Sequence, residues 1–171
     1  MRIESLLIWF LAIGLSAIMI APPVIKHINL AIGCTDYLER AANANTPELA
    51  IQQLDTALAF IEKQGWTSGS TYVAFKYPQC DMGYWYANLV AARDELKGLS
   101  PKSSPLEKSN LLMKLRESIT DGSGPNGKQE LILPPNINFY PDQVVWVVWW
   151  WLGGALAVLF WIWAVADSFD Y

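Results

Sequence analysis

The chain has 171 residues, 53% hydrophobic and 13% aromatic, with a formal net charge of −4. Its 12 Lys and Arg are interspersed among 16 Asp and Glu with no basic block, which excludes a surface built to neutralise nucleic acid. A single histidine removes most zinc, Ser–His and Cys–His chemistry.

The apolar run Leu6 to Ala21 opens the chain, and continuing it to Ile25 gives about 20 residues, the usual spanning length. Residues 1–25 are therefore expected to be a retained N-terminal transmembrane anchor. A cleaved signal peptide is the competing reading, because Met1-Arg2 is basic and the apolar core is short. Met19 and Pro22 spoil the small-residue pattern that cleavage at Ala21 would need. A lipoprotein reading through Cys34 meets Lys26, His27 and Ala31 where an uncharged, bulky approach is required. His27 itself reads as an interfacial side chain with its polar tip in water.

Residues 26–140 amount to one domain, expected to be helical and extracytoplasmic. Leu30, Cys34, Tyr37, Leu38, Ala41 and Ala42 recur at helical spacing and predict a helix running on from the anchor until Asn43-Ala44-Asn45 breaks it. Thr46-Pro47-Glu48 restarts a helix with a hydroxyl cap, a proline at the first position and a carboxylate in the first turn. This second helix buries Ala50, Ile51, Leu54, Leu58 and Ile61 and stops at Gly65. A third begins after Asp81, carries Trp85, Leu89, Ala92 and Leu96 in register, and ends at Gly98. The fourth opens on the capping box Ser104-Pro105-Leu106-Glu107 and buries Leu111, Leu112, Leu115 and Ile119. Asp121 to Gly127 reads as a turn.

Four amphipathic helices with short connections predict a mainly α fold: a membrane-anchored antiparallel helical bundle flanked by two transmembrane helices. At most a small β-ribbon is added, pairing the extended stretches Trp66 to Gln79 and Glu130 to Leu133. The even cysteine count predicts a disulfide between Cys34 and Cys80. Closing that loop of about 46 residues would remove roughly 4 kcal/mol of unfolded-state entropy. The alternative is two unrelated buried thiols. A disulfide would put the domain in a periplasm or equivalent lumen, with the termini in the cytoplasm and the protein in a bacterial inner membrane or similar internal membrane.

Residues 141–171 are expected to form a C-terminal transmembrane helix with a short acidic tail. Pro141-Asp142 starts it, and Val144 to Ala166 is an uncharged run of about 23 residues, roughly 35 Å long as a helix. Trp146, Trp149, Trp150 and Trp151 near its start and Trp161 and Trp163 near its end make aromatic belts at both headgroup levels. Gly153, Gly154 and Ala157 form a small-residue patch, matched by Ala12 and Ser16 on the first span, suited to close helix packing.

No phosphate loop, haem attachment motif or metal-ligand spacing is present in the sequence, so no cofactor, metal or catalytic residue is expected. Trp66, Tyr72, Phe75 and Tyr77 instead gather around Cys80, where they are expected either to cap the end of the bundle or to present a patch for a partner or a ligand. The layout resembles the sensing half of a two-span bacterial receptor, an analogy of architecture alone. Asp167 to Tyr171 is too short for an output domain. The expected function is therefore non-enzymatic: an accessory or docking subunit of a larger membrane complex, its partners the bilayer and another membrane protein or a second copy. The alternative is a small-molecule sensor with a pocket lined by Trp66, Tyr72 and Phe75 that signals through a partner. A pocket holding those aromatics favours the second, and outward-facing aromatics favour the first.

Overall fold

Three polar side chains set where the central helices begin. Thr46 accepts the Leu49 N–H, Asp81 accepts the Tyr84 N–H, and Ser104 exchanges hydrogen bonds with Glu107 in a full capping box. Each satisfies donors that a helix N-terminus leaves orphaned, worth about 1 kcal/mol apiece. A computed structural model describes residues 3–74, 76–122 and 129–169, with side chains described between residues 9 and 166. Phe75 and positions 123–128 of the expected turn lie outside the described residues.

The protein is mainly helical, with one two-stranded sheet among the described residues. Helix α1 (Ile3–Leu30) is followed by a π-helical turn over Ala31–Thr35 and by α2 (Asp36–Ala42). Then come α3 (Pro47–Lys63), α4 (Met82–Lys97), α5 (Pro105–Ile119) and, after two short strands, α6 (Gln143–Phe169). The chain divides into two units, residues 28–141 and the pair of terminal segments 1–27 and 142–171.

In the first unit, α3 touches α2, α4 and α5, so it sits at the centre of the core. It can do so because Ala50, Leu54, Ala57, Leu58 and Ile61 lie on one face and are essentially inaccessible. Leu38 and Ala41 of α2, Leu89 and Leu96 of α4, and Leu115 and Ile119 of α5 complete the cluster. Burying a leucine contributes roughly 1.5–3 kcal/mol. The exposed ion pairs Lys97–Asp55 at 2.9 Å and Lys114–Glu95 at 2.6 Å contribute at most about 1 kcal/mol each. Apolar burial decides this fold.

Strand β1 (Thr120–Asp121) pairs antiparallel with β2 (Glu130–Leu131), in the register Thr120 with Leu131 and Asp121 with Glu130. This corrects the expected ribbon. The stretch after Trp66 does not pair with Glu130 to Leu133; it closes on itself through a single bridge between Ser70 and Asp81. The partner is nearer because α5 delivers Thr120 directly to β2, and the Ile132 N–H then reaches the Ile119 carbonyl at 2.9 Å.

Two helical stretches are long and apolar enough to cross a membrane: Trp9–Ala42, which begins within α1 and runs through the π-helical turn and α2, and Gln143–Ala166 in α6. Trp9 and Trp161 meet edge to face at 5.3 Å, and the Trp161 indole N–H donates to the Ser16 hydroxyl at 3.0 Å. Lys26 pairs with Asp142 at 3.5 Å and stands 5.0 Å from the Trp146 ring.

Candidate functional site

The chain leaves α3 through Gly65, whose φ of +71° is left-handed and favours glycine, and turns Trp66 inward. Trp66 is only 5% exposed and packs edge to face on Phe60 at 5.7 Å. Its indole N–H donates to the Tyr140 carbonyl at 3.1 Å, and the Tyr140 hydroxyl donates back to the Ser68 carbonyl. Trp66 is thus a core residue and not part of an exposed patch.

The loop beyond it is held at its base. The Thr71 N–H reaches the Cys80 carbonyl and the Met82 N–H reaches the Gly69 carbonyl, both at 3.0 Å. Between those ties, Tyr72 is 39% exposed, Val73 60% and Tyr77 57%. Of the four aromatics expected to act together, Tyr72 and Tyr77 share the exposed loop and Trp66 is withdrawn from it.

The cysteines correct a second expectation. Cys34 and Cys80 are both free thiols, and both are buried. Cys34 lies in the α2–α3 core, while Cys80 sits outside that cluster in the 3₁₀ turn Pro78–Cys80. Each thiol is satisfied as a small apolar side chain in its own surroundings. The argument for an oxidising compartment rested on the disulfide and goes with it.

The small residues of the terminal segments fall unevenly. Ala12 is fully buried, and the Ser16 hydroxyl donates to the Ala12 carbonyl at 2.8 Å while accepting from Trp161. Gly153 lies against the Met19 thioether so closely that a Cβ there would collide with it, whereas Gly154 faces open space and Ala157 is half-buried.

The exposed Glu48 and the partly buried Tyr86 titrate away from their ordinary values. Glu48 is held below the usual carboxylate value by its own backbone N–H and by the Thr46 hydroxyl. Tyr86 is pushed up because its hydroxyl donates to Glu62 at 2.7 Å. Both belong to helix surfaces, and neither adjoins the aromatic loop.

Three surface grooves have volumes of about 440, 360 and 570 Å³. Trp66, Tyr72 and Tyr77 line none of these three. The largest lies beside α4 and the ribbon, where the Trp85 indole N–H donates to the Ile132 carbonyl at 3.0 Å. Sequence reasoning missed this groove, because its walls come from segments about 50 residues apart. No protein-family model, curated protein or solved structure matches the chain.

Proposed function

We propose that the protein is a non-enzymatic integral membrane protein, a docking or accessory subunit whose helical domain engages a larger membrane complex. In this reading the terminal segments form two spans, both termini lie on one side, and residues 28–141 make a helical bundle on the other. The outward apolar surface of the terminal helices supports the spans: Phe10 is 71% exposed, Trp151 78% and Leu152 65%. Water would penalise such a surface, whereas lipid tails match it.

The observation that carries docking is the split among the loop aromatics. Tyr72 and Tyr77 stand outward on a loop tied at its base, and Trp66 lies in the core. Outward tyrosines on a held loop offer binding area at a low ordering cost. The same split disfavours a small-molecule pocket built on Trp66 and Tyr72.

The test is extraction of the tagged full chain in gentle detergent, with mass spectrometry of whatever co-purifies. The expected result is a stoichiometric membrane protein whose recovery falls at least about tenfold with Tyr72→Ala/Tyr77→Ala. Recovery of the chain alone and monodisperse would overturn the reading.

A further inference from the structure

Beside α4 runs a groove of about 570 Å³ bounded by the Pro78–Gln79 turn, the β-ribbon and the Leu133–Pro135 segment. Its floor is apolar, formed by Trp85, Leu89, Ile119 and Leu133. At its rim Tyr84 is 67% exposed. Three carboxylates, those of Asp81, Asp121 and Glu130, line it, and among the described residues no Lys or Arg does.

The other two grooves described above pair their charges. The cavity between the α2–α3 connection and α5 sets Lys108 and Arg116 beside Glu48. The groove along α4 and α5 holds Glu95 against Lys114 at 2.6 Å. Here the Asp81 carboxylate already takes the Tyr84 N–H at 2.9 Å, while Asp121 and Glu130 face each other directly across the ribbon. Like charges placed opposite in an antiparallel pair destabilise it, and this ribbon has only two pairs. A cation seated between them would turn that repulsion into attraction.

We infer that this groove is the docking site for an extended segment of a partner protein that carries lysine or arginine between apolar residues. The inference rests on the docking reading above and adds to the Tyr72–Tyr77 loop a second contact, with the chemistry of the partner segment that fills it. An apolar floor under an acidic rim suits a strand-like segment, whose alternate side chains point to opposite sides. Among the described residues the ribbon is only two strands wide, so both of its outer edges lie outside any sheet. Such an edge offers main-chain groups to an added strand. A bare metal ion or a small polyamine would satisfy the carboxylates and leave the exposed Ile132 and half-buried Leu131 and Leu133 without a matching surface.

The test uses the full chain in lipid nanodiscs and a fluorescein-labelled nonapeptide alternating Arg with Val, read by anisotropy. A peptide with Glu in place of Arg, and spermidine, are the comparison probes. The Arg–Val peptide is expected to bind at least about tenfold tighter than its Glu counterpart, and the affinity should fall steeply with salt. Asp121→Asn/Glu130→Gln should lower that affinity at least about tenfold, and Glu130→Gln alone about threefold. Glu117→Gln, on the exposed face of α5 outside the groove, should change it less than about twofold. The double variant should melt no lower than the native chain, because it removes a like-charge pair.

Equal binding of the two peptides, or unchanged binding in the double variant, would overturn the proposal. Displacement by spermidine at the peptide's own concentration would also overturn it, assigning the groove to a small polycation. If the double variant recovers the co-purifying protein as fully as the native chain, the groove is discarded and the docking reading stands. Failure of the native chain to recover anything strikes the docking reading itself.

Discussion

The Trp66 indole and the Tyr140 carbonyl are joined by a 3.1 Å hydrogen bond across 74 residues, tying the end of α3 to the segment just before α6. Tyr140 answers with its own hydroxyl on the Ser68 carbonyl, so two aromatic side chains hold one loop from both directions.

Trp66→Phe keeps one six-membered ring and removes the rest of the indole with its N–H. It should cost about 1–2 kcal/mol, one net hydrogen bond and a small cavity. Trp66→Ala should cost about 3–5 kcal/mol, because it also opens a cavity beside Phe60. Thermal unfolding of the full chain in detergent reads both. Equal losses for the two variants would contradict the packing against Phe60, and no loss in Trp66→Phe would show that packing alone matters.

Gly153 and Gly154 are neighbours in sequence with opposite surroundings. Gly154→Ala should be tolerated, since nothing stands within reach of a new Cβ. Gly153→Ala should be less stable than Gly154→Ala by at most about 1 kcal/mol, because the Met19 thioether is the end of a flexible side chain that can shift. Combining it with Met19→Ala should remove the difference, which a double-mutant cycle measures directly. Equal stability of the two alanine variants would contradict the Met19 contact.

Glu48 gives a pH dependence of defined sign. Its folded value is depressed by its own backbone N–H first and by the Thr46 hydroxyl second. Its contribution is therefore present above the unfolded value and lost as pH falls through the lower folded one. The melting difference between the native chain and Glu48→Gln should be constant near neutrality. It should shrink below about pH 4.5, as the carboxylate takes up its proton. A difference that grows in acid would reverse the assignment.

The thiols make a chemical prediction. Cys34 and Cys80 are free and buried, so a maleimide should label neither in the folded chain. After unfolding without reductant it should label both. Labelling that needs a reductant would restore the disulfide.

Much of the helical core was legible because it is encoded locally. Thr46-Pro47-Glu48, Asp81 and Ser104-x-x-Glu107 each mark a helix start, and each makes its capping bond. The Asn43-Ala44-Asn45 break falls between α2 and α3. The stripe Trp85, Leu89 and Leu96 is buried, because helical periodicity already encodes which face turns inward. Features built by distant pairs were not legible. The π-helical turn over Ala31–Thr35 fits because Gly33 has no Cβ to strike the Phe60 ring, a contact made 27 positions away. Ile137 is buried in the core, yet it follows Pro134-Pro135 with no periodic pattern around it. Trp66 showed the opposite difficulty. Its aromatic neighbours in sequence left a cap on the bundle and a surface patch both open, while its partners Phe60 and Tyr140 lie outside that stretch.

Gly69 lies under the Tyr140 hydroxyl with a φ of +95°. Any replacement there meets two separate obstacles, one steric and one conformational. Shrinking Tyr140 would lift the first and leave the second. Descendants of this sequence can therefore drift at position 140 while position 69 stays glycine, and the reverse order of change is closed.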